Sequence, residues 1–305
     1  MLTLTANKIV EIFCNADDFM QKFEAVYPAH VLGNYSQPKS RLSVAEILTI
    51  SIAYHHSRMD CFKSYYKLLV EPYLRDYFPD IPCYERFVNL KNACLLEFCA
   101  FFLSERAKPL SENANYIDSK KLESCHIKRQ YSHRTMKNMA SKGKSSTGWF
   151  YGMKIHLLIN ENAELCRFMI TGGAVSDNNE HVLKTLFKSL EGVVYGDKGY
   201  ISRFKKYFEQ QGLTIITKVR KNMKSLKLSQ KQKHYLKRRG ISETVFGLLT
   251  FSCDIDHTRH RSPRGMVTNV ITALIAYTYF DHLPQLEKFN AKKISQCNVV
   301  LFLDN

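Results

Sequence analysis

The sequence predicts a mixed α/β sheet with helices packed on it, preceded by a helical module. Three observations carry this expectation. Short β-prone runs alternate with amphipathic helical runs from Asn115 onward, which is the order of an α/β sheet. The segment before them carries repeated broad apolar faces and helix-start signals. About 45% of the 305 residues are hydrophobic, enough for a substantial core.

In the helical part, residues 1–108, Ser43 reads as an N-cap with Glu46 three positions on, the pattern of a capping box. The runs Phe62 to Leu69 and Leu95 to Phe102 repeat the apolar character, and Pro72, Pro79 and Pro82 supply breaks. Several helices in succession suggest a small bundle. The chain changes near Asn115. Asn115 to Asp118 reads as a short strand, and the lysine-rich stretch Lys120 to Lys144 reads as a loop. Trp149 to Asn160 alternates as a strand, Glu161 and Asn162 turn the chain, and Leu165 to Thr171 returns. Val182 to Leu190 is an amphipathic helix, and Val193 to Asp197 an apolar strand ending on an acid. Phe204 to Gln211 is a helix closed by Gly212, Leu213 to Val219 a strand, and a helix is expected around Glu243 to Phe251.

The charge narrows the function. Lysine and arginine number 44 against 28 acidic residues, a net charge of +16. Such a surplus repels itself unless a polyanion neutralises it, and nucleic acid is the commonest such partner, with anionic membrane second. The membrane alternative is weak. The longest apolar stretch, Met266 to Phe280, is interrupted by Thr268, Asn269, Thr272 and Thr278 and is shorter than the ~20 residues a spanning helix needs, so it reads as a buried helix. The N-terminus has no basic region followed by an apolar run, so no signal peptide is expected. Nine scattered cysteines without a C-x-x-C pair fit reduced, mostly buried thiols in the cytoplasm, not a disulfide framework or a structural zinc site.

Two acids stand where α/β sheets collect catalytic groups, beyond strand ends: Asp118 and Asp197. Gly196 and Gly199 let the backbone turn sharply around Asp197. Carboxylates on neighbouring strands repel unless a cation lies between them, and a hard divalent ion with oxygen ligands resolves the conflict. Phosphodiester hydrolysis and transesterification commonly use two such ions ~4 Å apart, which requires a third acid. Alone, each acid also fits a turn former, a helix cap or a surface residue.

Five segments carry a resemblance. They are Asn115-Tyr116-Ile117-Asp118-Ser119, the strand from Gly148 through Lys154 and His156 to Leu157, and Tyr195-Gly196-Asp197-Lys198-Gly199-Tyr200. With them go Glu243 to Leu249 and Thr258-Arg259-His260-Arg261-Ser262. In this order they resemble a bacterial insertion-sequence transposase of the insertion-sequence-982 family, within the RNase H-like DDE transposases. The resemblance runs from the helical N-terminus to about Phe289. It implies an RNase H-like core at residues 109–289, with Asp118, Asp197 and Glu243 as catalytic residues and ligands of two Mg²⁺ or Mn²⁺ ions. In the related signature Y-x₂-R-x₃-E-x₆-K, Arg239 matches the arginine. Leu236 holds the tyrosine position with Tyr235 beside it, and Thr250 holds the lysine position. The implied activity is metal-dependent cleavage at transposon ends and strand transfer into target DNA. The implied partner is double-stranded DNA, bound as terminal inverted repeats and as target by a homodimer in a synaptic complex. Such a protein is cytoplasmic, bacterial and nucleoid-associated. The alternatives are a nuclease of the same fold that only hydrolyses, and an inactive DNA-binding relic.

Two basic runs flank the acids. One holds Lys120, Lys121, Lys128, Arg129, Arg134, Lys137, Lys142 and Lys144, with Glu123 as its only acid. The other, a basic insert near 218–239, holds Lys218, Arg220, Lys221, Lys237, Arg238 and Arg239 among others, and no acid. A solvated face normally mixes signs, so both read as phosphate-binding surfaces. Lys154 and Lys198 within the motifs, and Arg259 and Arg261 beyond them, complete the candidate DNA contacts. His156 lies in an alternating strand and has an ordinary packing role open to it. The N-terminal 1–108 is expected to bind DNA ends, and no role is assigned to the tail 290–305.

Overall fold

The computed structural model describes residues 4–27, 41–200, 204–218, 227–257 and 260–286. The N-terminal part is helical as expected: α1 (Ala6–Val26), α2 (Val44–His56), α3 (Phe62–Tyr65), α4 (Glu71–Tyr73) and α5 (Tyr84–Arg106). Ser43 caps α2 through the full reciprocal box: the Glu46 N–H donates to Ser43 Oγ at 3.1 Å and the Ser43 N–H to the Glu46 carboxylate at 2.6 Å. Pro72 does not break the chain as expected. A π-turn at Tyr66–Val70 leads straight into α4, and Pro72 sits in the first turn of α4, where the widened turn accommodates it.

The sheet follows: β1 (Asn115–Cys125), β2 (Ser141–Ser145), β3 (Gly148–Asn160), β4 (Leu165–Gly172), β5 (Gly192–Gly196) and β6 (Leu213–Thr217). Its order is β2-β3-β1-β5-β6, and β4 shares the outer edge of β3 with β2. β1 is antiparallel to β3 and parallel to β5, and β5 is parallel to β6. Among the described residues the sheet is accompanied by the helices α6 (Glu180–Leu186), α7 (Lys205–Gln210), α8 (Gln230–Lys237), α9 (Ile241–Phe251) and α10 (Pro263–Tyr277). This mixed sheet flanked by helices is the RNase H-like arrangement that the resemblance implied.

The stretch expected as a loop is partly strand. β1 runs on through Lys120 and Lys121 to Cys125, and β2 lies inside the lysine-rich region. Turn chemistry elsewhere is as expected. The Asn160 side-chain oxygen accepts from the N–H groups of Asn162 and Glu164 at the β3–β4 turn, with Ala163 at φ +61°. Gly212, at φ +81°, ends α7 in a conformation that costs other residues energy.

Alternation along the strands makes two cores. Ile117, Leu158 and Val194 point to one side, against Val182, Leu186 and Phe208 of α6 and α7. Tyr116, Leu157 and Tyr195 point to the other, against Tyr235 of α8, Val245 of α9 and the N-terminal helices. The apolar segment expected to be a buried helix is α10, buried from Val270 to Tyr277. It packs on α2 and α5. Among the described residues no single helix is long and apolar enough to cross a membrane. Of the described cysteines, Cys99, Cys166 and Cys253 are buried while Cys14 and Cys83 are exposed, so burial is less general than expected.

Candidate active site

The sheet register brings the two aspartates side by side. β1 and β5 pair in parallel with Tyr116 opposite Tyr195 and Ile117 opposite Gly196, so the next step sets Asp118 level with Asp197. Both share a face with their neighbours Tyr116 and Tyr195, because strand residues two apart point the same way. Asp197 stands just past the end of β5, as expected. Asp118 does not end its strand. It marks the point where β1 outruns β5 and loses that partner.

Tyrosine packing lays α8 and α9 over this face. The rings of Tyr116 and Tyr195 lie 5.8 Å apart, those of Tyr195 and Tyr235 6.1 Å apart, and the Tyr116 hydroxyl donates to the Tyr235 carbonyl at 3.4 Å. Tyr235, one position from the family's tyrosine, thus anchors the helix. The backbone between α8 and α9 tightens into a 3₁₀ turn at Arg238–Gly240, so no continuous α-helix joins Arg239 to Glu243. The two side chains still meet: Arg239 Nη1 lies 3.9 Å from the Glu243 carboxylate, and Nη2 3.5 Å from that of Asp197.

Asp118 is different in kind. Burial pushes its carboxyl up to about 6; the nearby charges of Asp197 and Glu243 add to this, while the Ser119 N–H and Arg239 oppose it. The shift corresponds to roughly 3 kcal/mol of electrostatic cost when Asp118 ionises, at 1.36 kcal/mol per pKa unit. The Arg239 pairs are weaker. Asp197 and Glu243 are 47% and 70% exposed, and ion pairs of that exposure contribute about 0–1 kcal/mol each. The guanidinium therefore does not lock these acids, and a stronger cation can displace it. Its Nε is buried and donates to nothing.

The donor set is three carboxylates, which suits a hard divalent ion such as Mg²⁺ or Mn²⁺. Among the described residues no three His, Cys, Asp or Glu side chains are already gathered closely enough to hold one, and Arg239 occupies the space between two of the acids. The chemistry fits a metal once the guanidinium yields. The other acids near the third position are engaged elsewhere: Asp254 with His257 at 3.0 Å, and Asp256 with Lys120 at 3.6 Å.

A further acid, Asp177, went unnoticed in the sequence. It lies behind the site, on the opposite sheet face. Its Oδ1 accepts from Ser119 Oγ at 2.9 Å and from Lys154 Nζ at 3.2 Å, and His156 Nδ1 lies 4.0 Å away. Ser119 adjoins Asp118, so Asp177 braces the strand that carries the site. Sequence offered only an Asp-Asn-Asn turn before α6, which reads as a helix cap, and Asn179 does cap that helix. His156 is packed: fully buried, within hydrogen-bond reach of Thr171 at 3.0 Å and Tyr200 at 3.4 Å, and lowered to about 4 by burial.

The candidate DNA contacts divide. Lys128, Arg129, Lys198, Lys218, Lys237 and Arg261 are exposed. Lys154 is 13% exposed and given over to Asp177 and the Val175 carbonyl, so the structure turns it inward. Lys120 and Lys121 pair with Asp256 and Glu123, and Arg238 lies 3.2 Å from His234 Nδ1. Arg220, Lys221 and Arg259 lie outside the described residues.

A mixed sheet with two acids side by side on adjacent parallel strands, one just past the end of β5 and one where β1 outruns it, roofed by a helix bearing a third, defines a protein of the RNase H-like nuclease and transposase class. Residues 108–263 match the family model of the transposase DDE domain, and since this is just over half of the chain, the protein belongs to that family. The match takes in every strand of the described residues and ends at the first residue of α10. No match was found among curated proteins. Membership makes the protein a DNA-acting enzyme of the nuclease and transposase kind, from a family whose domains generally use divalent metal ions.

Proposed function

We propose that the protein is a transposase of the insertion-sequence-982 type, which cuts DNA at the ends of its element and joins the freed 3′-hydroxyl to target DNA. The observation that carries this reading is the sharing of Arg239 by Asp197 and Glu243 beside the desolvated Asp118. Asp118, Asp197 and Glu243 would hold two Mg²⁺ or Mn²⁺ ions. When bound there, the ions supply positive charge to the attacking and leaving oxygens of the phosphodiester.

The chain's own groups do the rest. Asp118 resists ionisation in the free protein, so it gains most from a cation. Arg239, displaced from the acids, turns its charge toward the DNA backbone. The exposed lysines and arginines hold phosphates and set the register of the duplex. The helical 1–108 segment binds the element's ends, and two copies act together in a synaptic complex, in a bacterial cytoplasm and on its nucleoid.

The test is incubation of the pure protein with Mn²⁺, labelled end DNA and a target plasmid. Nicked ends and joined products are expected, and Asp118→Asn, Asp197→Asn and Glu243→Gln should each lose cleavage while retaining end binding. Cleavage within about tenfold of wild type, at most about 1.4 kcal/mol of barrier, would remove that residue from the site. Nicking without joining would make the protein a nuclease.

A further inference from the structure

At the far end of β3 the chain exposes its only tryptophan. Trp149 is 56% exposed, a costly placement for the largest apolar side chain unless something covers it. It is the second residue of β3, directly after Gly148, whose φ of +118° turns the β2–β3 hairpin. Two lysines of β2 flank it. Lys144 is its cross-strand partner and lies 5.5 Å from the ring centre, and Lys142, opposite Tyr151, lies 4.7 Å from it. Paired residues share a face, so Lys142, Lys144 and Trp149 stand on one side of the hairpin.

That side is the side of the acids. Asp118 pairs with Leu157, and Leu157, Tyr151 and Trp149 have the same parity along β3. Eight residues separate Trp149 from Leu157, so the ring stands up to about 27 Å from the level of Asp118. Duplex DNA covers that distance in roughly eight base pairs.

We infer that the β2–β3 hairpin is a DNA-contacting finger on which Trp149 stacks against a nucleobase, at most about eight base pairs from the cleaved phosphate, while Lys142 and Lys144 meet the flanking phosphates. This rests on the transposase reading and extends it to a contact outside the acidic site. The cation–π contacts that now cover the ring are weaker than base stacking, so DNA can replace them, and the released ammonium groups are then in place for phosphates. The partner's chemistry follows from the charge: both cations flanking the ring need an anion, and the ring needs a π-face.

A single tryptophan makes the test direct, because selectively excited emission reports Trp149 alone. The full-length protein is titrated with end duplex, and with the same duplex opened to single strand from about eight base pairs inside the end. Binding is followed independently by anisotropy of a label on the DNA. Stacking quenches the emission in step with binding, and the substrate that quenches more identifies a paired or an unpaired base. Trp149→Ala weakens binding roughly 5- to 150-fold, the equivalent of about 1–3 kcal/mol, and Trp149→Phe keeps most of it. Lys142→Ala with Lys144→Ala makes the salt slope shallower by about 2. Binding with unchanged emission overturns the finger and leaves the transposase reading standing. Emission that responds to protein concentration and not to DNA assigns the ring to contact between copies and also overturns it. Failure to bind DNA at all overturns both readings.

Discussion

Asp118→Asn should stabilise the free protein at neutral pH. The substitution keeps the shape of the side chain and removes its ability to ionise. Burial holds the folded carboxyl at about 6 against an ordinary 3.8. As pH rises, the unfolded chain therefore gives up this proton before the folded one does. Stability is lost progressively between pH ~3.8 and ~6, and above that the loss is full, roughly 3 kcal/mol for a shift of this size. For a 305-residue chain, with about 2.1 cal/mol/K of unfolding entropy per residue, that corresponds to about 5 °C in Tm. The assay is thermal unfolding of wild type and Asp118→Asn in chelator from pH 4 to 8. The gap between the two should be small at pH 4, grow in favour of the variant up to pH 6 and then level off. Mg²⁺ at about 100 times its Kd should raise wild type by some 2.7 kcal/mol and leave the variant almost unmoved. A gap that does not change with pH would mean that Asp118 is not desolvated. Equal stabilisation of both proteins by Mg²⁺ would put the metal elsewhere.

Two further outcomes follow from the same electrostatics. Binding to end DNA should weaken with a slope of log K against log salt of about −4 or steeper, since at least ~5 phosphates should be neutralised at −0.9 each; a slope shallower than about −2, measured by anisotropy across a salt series, would return the basic runs to solvated surface. Asp177→Asn should cost about 1–3 kcal/mol in denaturant unfolding, because it leaves the 13%-exposed Lys154 ammonium without its carboxylate, and adding Lys154→Met should recover most of that loss; two additive losses would refute the pairing.

How much of this was legible depended on whether the signal was local. β3 declared itself because its alternation is strong and both its ends are marked. α2 declared itself through Ser43 and Glu46, whose bonds span one turn. Asp197 was conspicuous because its strand is short and its flanks carry glycine. β2 was hidden. Its sequence, Ser-Lys-Gly-Lys-Ser, offers no apolar alternation, and it is a strand only because β3 lends it an edge. The second half of β1 was hidden for a related reason: past Asp118 it has no β5 neighbour, so it need not be apolar on both faces. Asp177 could not have been found by spacing, since its partner Ser119 is 58 residues away. The signature places Arg239 four residues before Glu243, yet their contact forms across a 3₁₀ turn and depends on two long side chains.

The helical N-terminal segment is tied to the catalytic fold through a shared core. α10 begins where the family match ends, and its buried face lies against α2 and α5. Polar groups follow the same route. His55 of α2 contacts the Cys253 carbonyl at 2.6 Å and Thr272 Oγ1 at 2.9 Å, and burial lowers it to about 3, so it is a neutral hydrogen-bonding group at physiological pH. Arg264 of α10 donates to the Asn92 carbonyl and pairs with Glu97 on α5, and Arg106 reaches Thr278. Burial makes the His55 bonds costly to strip of their partners, while the half-exposed Arg264–Glu97 pair adds little. A DNA end bound by the helices would then be presented to Asp118 and Asp197 at a fixed distance, without the search a flexible linker imposes. The same rigidity makes the reach from the acids to Trp149 a property of the fold. It is this shared core that would hold a DNA end bound by the helices at a fixed distance from the acids.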